Sequence, residues 1–208
     1  MILKTPLKLT AFGATLALGA ALTVGSQVVA QSPPEGMAAQ QQKMQQMMQM
    51  YKPELRQKVM QLSPQIKQQV LQILGQHTRH SDQVSFRQVM HEVLADYQTA
   101  AAGIATDNAE MAAEAARRLA NHRIPKGGLF PYFPLDKIND SDMGVLPAMN
   151  TAVEGSAIKL AEAAERGDMV EAAKRLSDVM TGCVACHQKF RSQPGASNLL
   201  LVPGQARQ

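Results

Sequence analysis

Cysteine is the scarcest reactive residue here: the 208-residue chain has two, no tryptophan, and an aromatic content of 4%. A fold stapled by several disulfides is excluded by that count, and a β-rich core is disfavoured by the shortage of aromatic side chains. Lys and Arg never form a run, and no aromatic platform accompanies them, so the formal net charge of +4 gives no footing for nucleic acid. Ala, Gln and Met are abundant instead, and they favour helix.

Long apolar runs are also rare, and the one present lies at the start. Lys4 and Lys8 precede an apolar stretch from Leu9 to about Val24, followed by a polar tail ending Val28-Val29-Ala30. This pattern predicts an export signal over residues 1–30, cut after Ala30, and a periplasmic protein; an uncleaved membrane anchor is the alternative. Cleavage there removes two lysines and no acid, lowering the net charge from +4 to +2.

Residues 31–52 are low in complexity, with proline and glycine followed by a Gln/Met tract that reads as a linker or loose helix. Met44, Met47, Met48 and Met50 offer either an adaptable apolar face or soft ligands for copper(I). A short helical hairpin is expected over 53–82: Leu55, Val59 and Leu62, then Ser63-Pro64 as a start signal, then Ile66, Val70, Ile73 and Leu74 up to Gly75. His77 and His80 follow in a polar link, read as exposed.

From residue 83 to 192 the spacing predicts four helices and therefore an all-α fold, an antiparallel four-helix bundle with an N-terminal helical extension. The first, Ser85 to Ala105, sets Phe86, Met90, Val93, Tyr97, Ala101 and Ile104 on one face. The second, Asn108 to His122, is expected to start on Thr106 or Asp107 and to turn Ala112, Ala115, Ala116 and Leu119 inward. His122 suits its C-terminal dipole. A connection rich in proline, Ile124 to Asp142, should pack across one end of the core through Leu129, Phe130, Tyr132 and Phe133. The third helix is expected from Met143 to Arg166 without interruption, and the fourth from Asp168 to Arg191 with Ala172, Leu176, Val179, Met180, Cys183, His187 and Phe190 on or near one face. Residues 193–208 lack periodicity and read as a flexible tail.

Both cysteines fall in that fourth helix, as Cys183-Val-Ala-Cys186-His187. Residues at i, i+3 and i+4 share a helical face, so two thiols and an imidazole point the same way. This is the attachment pattern of c-type haem, with the thiols bonded to the vinyl groups and His187 on the iron. A structural zinc site would need four ligands, and no second Cys pair exists to complete one. A disulfide oxidoreductase would carry its Cys-x-x-Cys at a helix start after a strand, and a plain disulfide fits poorly across four residues of continuous helix. Gly182 reads as room for a flat macrocycle near the backbone.

The stretch from Val84 to Ser192 resembles the cytochrome c′ and cytochrome c556 family through two motifs. CVACHQKFR matches the family's C-x-x-C-H-x-x-[YF]-R ending, and Phe86-Arg87-Gln88 is similar to its [YF]-R-Q early in the first helix. The resemblance implies one haem c per chain inside a periplasmic bundle, with Arg191 as a cation beside it and Arg87 in the cofactor's surroundings. It also implies a homodimer through the first two helices. Attachment makes the cytochrome c maturation machinery a partner, and electron transfer requires a periplasmic redox partner.

The second axial position divides the family's functions. Members that leave it empty bind nitric oxide or carbon monoxide, and c556 members fill it with methionine and carry electrons. Met90, on the apolar stripe of the first helix, is the leading candidate. His91 is the alternative, because the family's spacing from its arginine lands there. No acid/base pair or nucleophile accompanies the motif, so the expectation is an electron carrier rather than an enzyme.

Overall fold

A computed structural model describes residues 34–125 and 127–191. The expected signal at 1–30 and tail at 193–208 lie outside the described residues. Among the described residues the fold is all-α, apart from two residue pairs, His80–Ser81 and Ile124–Pro125, that run parallel.

Four helical rods close a ring: α4 (Phe86–Ala105) packs on α5 (Ala109–Ala120), α5 on α8 (Ser156–Glu165), α8 on α9 (Met169–Phe190), and α9 back on α4. Three helices precede them, α1 (Pro34–Gln49), α2 (Pro53–Gln61) and α3 (Pro64–Gly75). Start signals explain most of these boundaries. Ser63 accepts a hydrogen bond from the Ile66 N–H, Ser85 and Gln88 form a reciprocal capping box, and Asp168 accepts from the Glu171 N–H. Each such cap is worth about 1 kcal/mol. The start of α5 differs from expectation: its cap is Asn108, whose side chain accepts from the Met111 N–H, while Asp107 turns the chain at a φ of 53°.

The Gln/Met tract is helical rather than a linker. Glutamine and methionine lose little rotamer freedom in a helix, and the apolar side chains find a surface to cover. Met47 is buried, and Met44, Met48 and Met50 pack on the same cluster as Tyr51, Leu55, Val59, Val70 and Leu74. The tract therefore serves as an apolar face. Tyr51 is wholly buried and donates to the Gly127 carbonyl at 2.5 Å, tying the extension to the proline-rich connection.

The third rod is interrupted where an unbroken helix was expected. α6 (Asp140–Met143) ends at Gly144, α7 (Leu146–Asn150) starts with Pro147 in its first turn, and residues Thr151–Gly155 form a π turn before α8. A π turn closes its bonds at i→i+5, so residues beyond it rotate relative to an α-helical face. Glu154 is buried as a result, in the middle of what reads as an Ala/Leu stripe.

By the size of the side chains that fill it, the bundle has a narrow end and a wide end. Ala100, Ala112, Ala113, Ala115, Ala116, Ala161, Ala163, Ala164 and Ala172 fill the narrow end together with Leu160, and Ile104, Met169 and Leu176 pack against them. Val89, Val93, Leu119 and Val179 fill the wide end. At the narrow end α4 and α5 touch at Gly103, where a Cβ would lie 2.6 Å from the Ala112 nitrogen. Gly103→Ala gains about 1 kcal/mol of helix propensity yet forces the helices apart, and such overpacking costs about 1–3 kcal/mol. We therefore expect net destabilisation in urea unfolding, and a stabilised variant would contradict this packing.

Candidate functional site

Cys183, Cys186 and His187 lie in the last two turns of α9, at the wide end of the bundle. Both cysteines are free thiols and half-buried, but they border different apolar clusters. Cys183 sits against Val89, Val93, Leu119, Ala157 and Val179, together with Val84, Met90, Tyr97 and Val153. Cys186 sits against the cluster that holds Met143, Leu146, Phe130 and Phe190. Burial pushes both thiols above their ordinary range, so they stay protonated at neutral pH.

His187 points outward, not into the core stripe, and so does Met180. The continuous inward seam of α9 is instead Ala172, Val179, Gly182 and Phe190. Desolvation and the nearby Arg191 charge hold the His187 imidazole below its ordinary pKa, which keeps it in the neutral, ligating form. Arg191 itself caps the helix, its N–H donating to the His187 carbonyl. Phe190, the aromatic residue of the motif, is buried and meets Phe133 edge-on at 5.2 Å between centroids. This contact fixes the end of α9 against the proline-rich connection, as the aromatic content of that connection led us to expect.

Gly182 has a different role from the one its position suggests. A Cβ there would fall 2.8 Å from Val153 Cγ2 and 3.0 Å from the Ala152 carbonyl carbon, so the missing side chain admits the π turn. It leaves no room for a macrocycle on that side of α9. On α4, the buried positions are Val93, as expected, and Val89, Ala100 and Gly103, each one residue round from Met90, Ala101 and Ile104 of the expected stripe. Met90 and Tyr97 flank that seam, half-buried, on the same cluster as Cys183, whereas Arg87 and His91 are exposed. Phe86 stacks on Tyr132 at 4.9 Å.

A second group of side chains was missed by sequence reasoning. His77, expected to be exposed, is 4% exposed, and it meets Glu154 and His122 beneath the surface. Residues 77–81 run beside 121–125: the Thr78 N–H donates to Asn121 Oδ1, the Asn121 side chain donates back to Thr78 Oγ1, and the Ile124 N–H donates to the Arg79 carbonyl. His77 and His122 are thereby brought ring to ring, 4.6 Å between centroids. Their Nε2 atoms lie 3.1 and 3.4 Å from the same oxygen, Glu154 Oε1. The only signal in the sequence was an acid inside a stripe of Ala and Leu.

No family model, curated protein or solved structure matches the chain. The class defined by the coordinates is an all-α helical bundle carrying a thiol–thiol–imidazole motif on its last helix.

Burial works against a charge on Glu154, but the adjoining His122 and His77 imidazoles outweigh it and hold the carboxyl below its ordinary 4.5. Burial likewise works against a charge on His77, yet Glu154 and the Ile73 carbonyl raise it above 6.5. The carboxylate's contribution is present above pH 4.5 and lost as pH falls through the lowered value. The imidazolium's is full below pH 6.5 and lost as pH rises through the raised one. In buffer with a chelator, the urea midpoint should therefore be highest between those two values, and Glu154→Gln should flatten the profile. An unchanged profile in the variant would contradict the coupling.

Proposed function

We propose that this protein is a periplasmic monohaem c-type cytochrome that carries electrons. The observation that carries the reading is the pairing of Cys183 and Cys186 with a neutral, outward-facing His187 on one helical face, bordered by two apolar clusters. The donor set suits the group chemically: two protonated thiols for attachment and one imidazole nitrogen for the metal. Each thiol would add its S–H across one vinyl group, the sulfur bonding to one carbon and the proton going to the other. Haem, when bound, supplies one-electron chemistry by cycling its iron between ferric and ferrous states.

The chain's own residues would do the rest. Cys183 and Cys186 hold the cofactor, so it stays in place when the bundle breathes. His187 would bind the iron through its imidazole. Met90 is the better candidate for a second ligand, since it is half-buried on the cluster that Cys183 borders, and His91 is exposed. Binding by a thioether together with an imidazole would raise the reduction potential and close the iron to gases. Arg191, one turn from His187, would set a positive charge beside the cofactor, and Arg87 is exposed on α4 for a partner or a propionate. The motif would set the cofactor at the end of the bundle filled by the larger side chains. A periplasmic redox partner, the cytochrome c maturation machinery and a homodimer through α4 and α5 belong to the same proposal.

Optical spectra of the purified ferric and ferrous protein test it. We expect a low-spin ferrous spectrum that ignores carbon monoxide, retained in His91→Ala and lost in Met90→Ala. A high-spin ferrous spectrum that shifts with carbon monoxide in the unmodified protein would overturn the carrier reading and indicate a five-coordinate gas-binding haem.

A further inference from the structure

The buried His77, His122 and Glu154 group poses a problem of charge. Nδ1 of His77 lies 3.0 Å from the Ile73 carbonyl oxygen, and Nδ1 of His122 lies 3.0 Å from the Arg123 carbonyl oxygen. Carbonyl oxygens only accept, so both Nδ1 atoms carry protons. A neutral ring then presents a bare lone pair at Nε2, and both lone pairs converge on a carboxylate oxygen, which is a third acceptor. His77 Nε2 has no hydrogen-bond partner of its own, although its side chain is 1% exposed. Three acceptors meeting below the surface call for positive charge among them: protons on the imidazoles supply it in the metal-free protein, and a cation can take their place.

We propose that this group is a binding site for a divalent transition-metal ion of the zinc class, with His77 Nε2, His122 Nε2 and a Glu154 oxygen as ligands. The three ligand atoms lie within 4.8 Å of one another. Two of the separations, 3.1 and 3.4 Å, bracket the edge of about 3.3 Å that a tetrahedron with bonds of about 2.05 Å would have. The Nδ1 contacts are the usual outer support of ligating histidines, fixing the tautomer and the ring plane. Two imidazoles and one carboxylate select a borderline cation over calcium or magnesium, which prefer oxygen alone. The ligands come from three separate segments: the end of α3, the end of α5 and the π turn. An ion here would clip the N-terminal extension to the bundle. The side chains of His122 and Glu154 are 14% and 11% exposed, which leaves a route for the ion from that side.

The inference is independent of the haem, and the test keeps the two apart. Both thiols are first blocked, by attached haem or by alkylation, so that Cys183 and Cys186 cannot bind the probe. Zinc uptake by the full mature chain is then measured by equilibrium dialysis with metal analysis, alongside the thermal midpoint with and without zinc. We expect one zinc per chain, a raised midpoint, and affinity at least tenfold weaker in Glu154→Gln and in His122→Gln. His122 is half-buried and so the milder position, and circular dichroism checks that each variant is helical. No stoichiometric uptake by the unmodified chain, or uptake that both variants retain at full affinity, would overturn the site.

Discussion

The contact between Gly182 and the π turn is the constraint on which the wide end of the molecule rests. With no Cβ on Gly182, Ala152 and Val153 settle against the backbone of α9. Two consequences follow on either side of that contact. Cys183, next along α9, is set against the cluster that also holds Val153 and Met90, and Glu154, next along the π turn, is turned beneath the surface toward His77 and His122. One absent methyl group therefore positions both the thiol motif and the buried acid.

The two ends of the bundle divide the work. The alanine-rich end brings its helices close, and ion pairs such as Arg117 with Glu165 at 2.7 Å and Arg118 with Asp96 at 2.8 Å span its rim. Exposed pairs of this kind are screened by solvent and contribute little, so the packed apolar side chains and the Gly103 contact hold this end. The other end takes larger side chains and is covered by the extension and the proline-rich connection, with Tyr51, Phe130 and Phe190 buried between them.

Helices with strong local signals were legible. Ser63, Ser85 and Asp168 announced their helices through residue type alone, and the fourth-helix motif could be placed on one face from its spacing. What escaped depends on partners distant in sequence. His77 sits in a polar stretch and is buried only because residues 77–81 run alongside 121–125. The π turn leaves no compositional mark, so the third rod read as unbroken and Glu154 drew no assignment. Met90 and His91 are adjacent, and the helical pattern favoured Met90 where the family's spacing pointed to His91; the coordinates leave Met90 half-buried and His91 exposed.

The functional account reduces to covalent possession of a porphyrin by α9. Intact mass spectrometry of mature protein, made in cells that export and attach c-type haem, addresses it without spectra or partners. The account predicts a polypeptide heavier by one haem, with neither Cys183 nor Cys186 open to alkylation after reduction. A bare polypeptide mass, with both thiols alkylated, would contradict it.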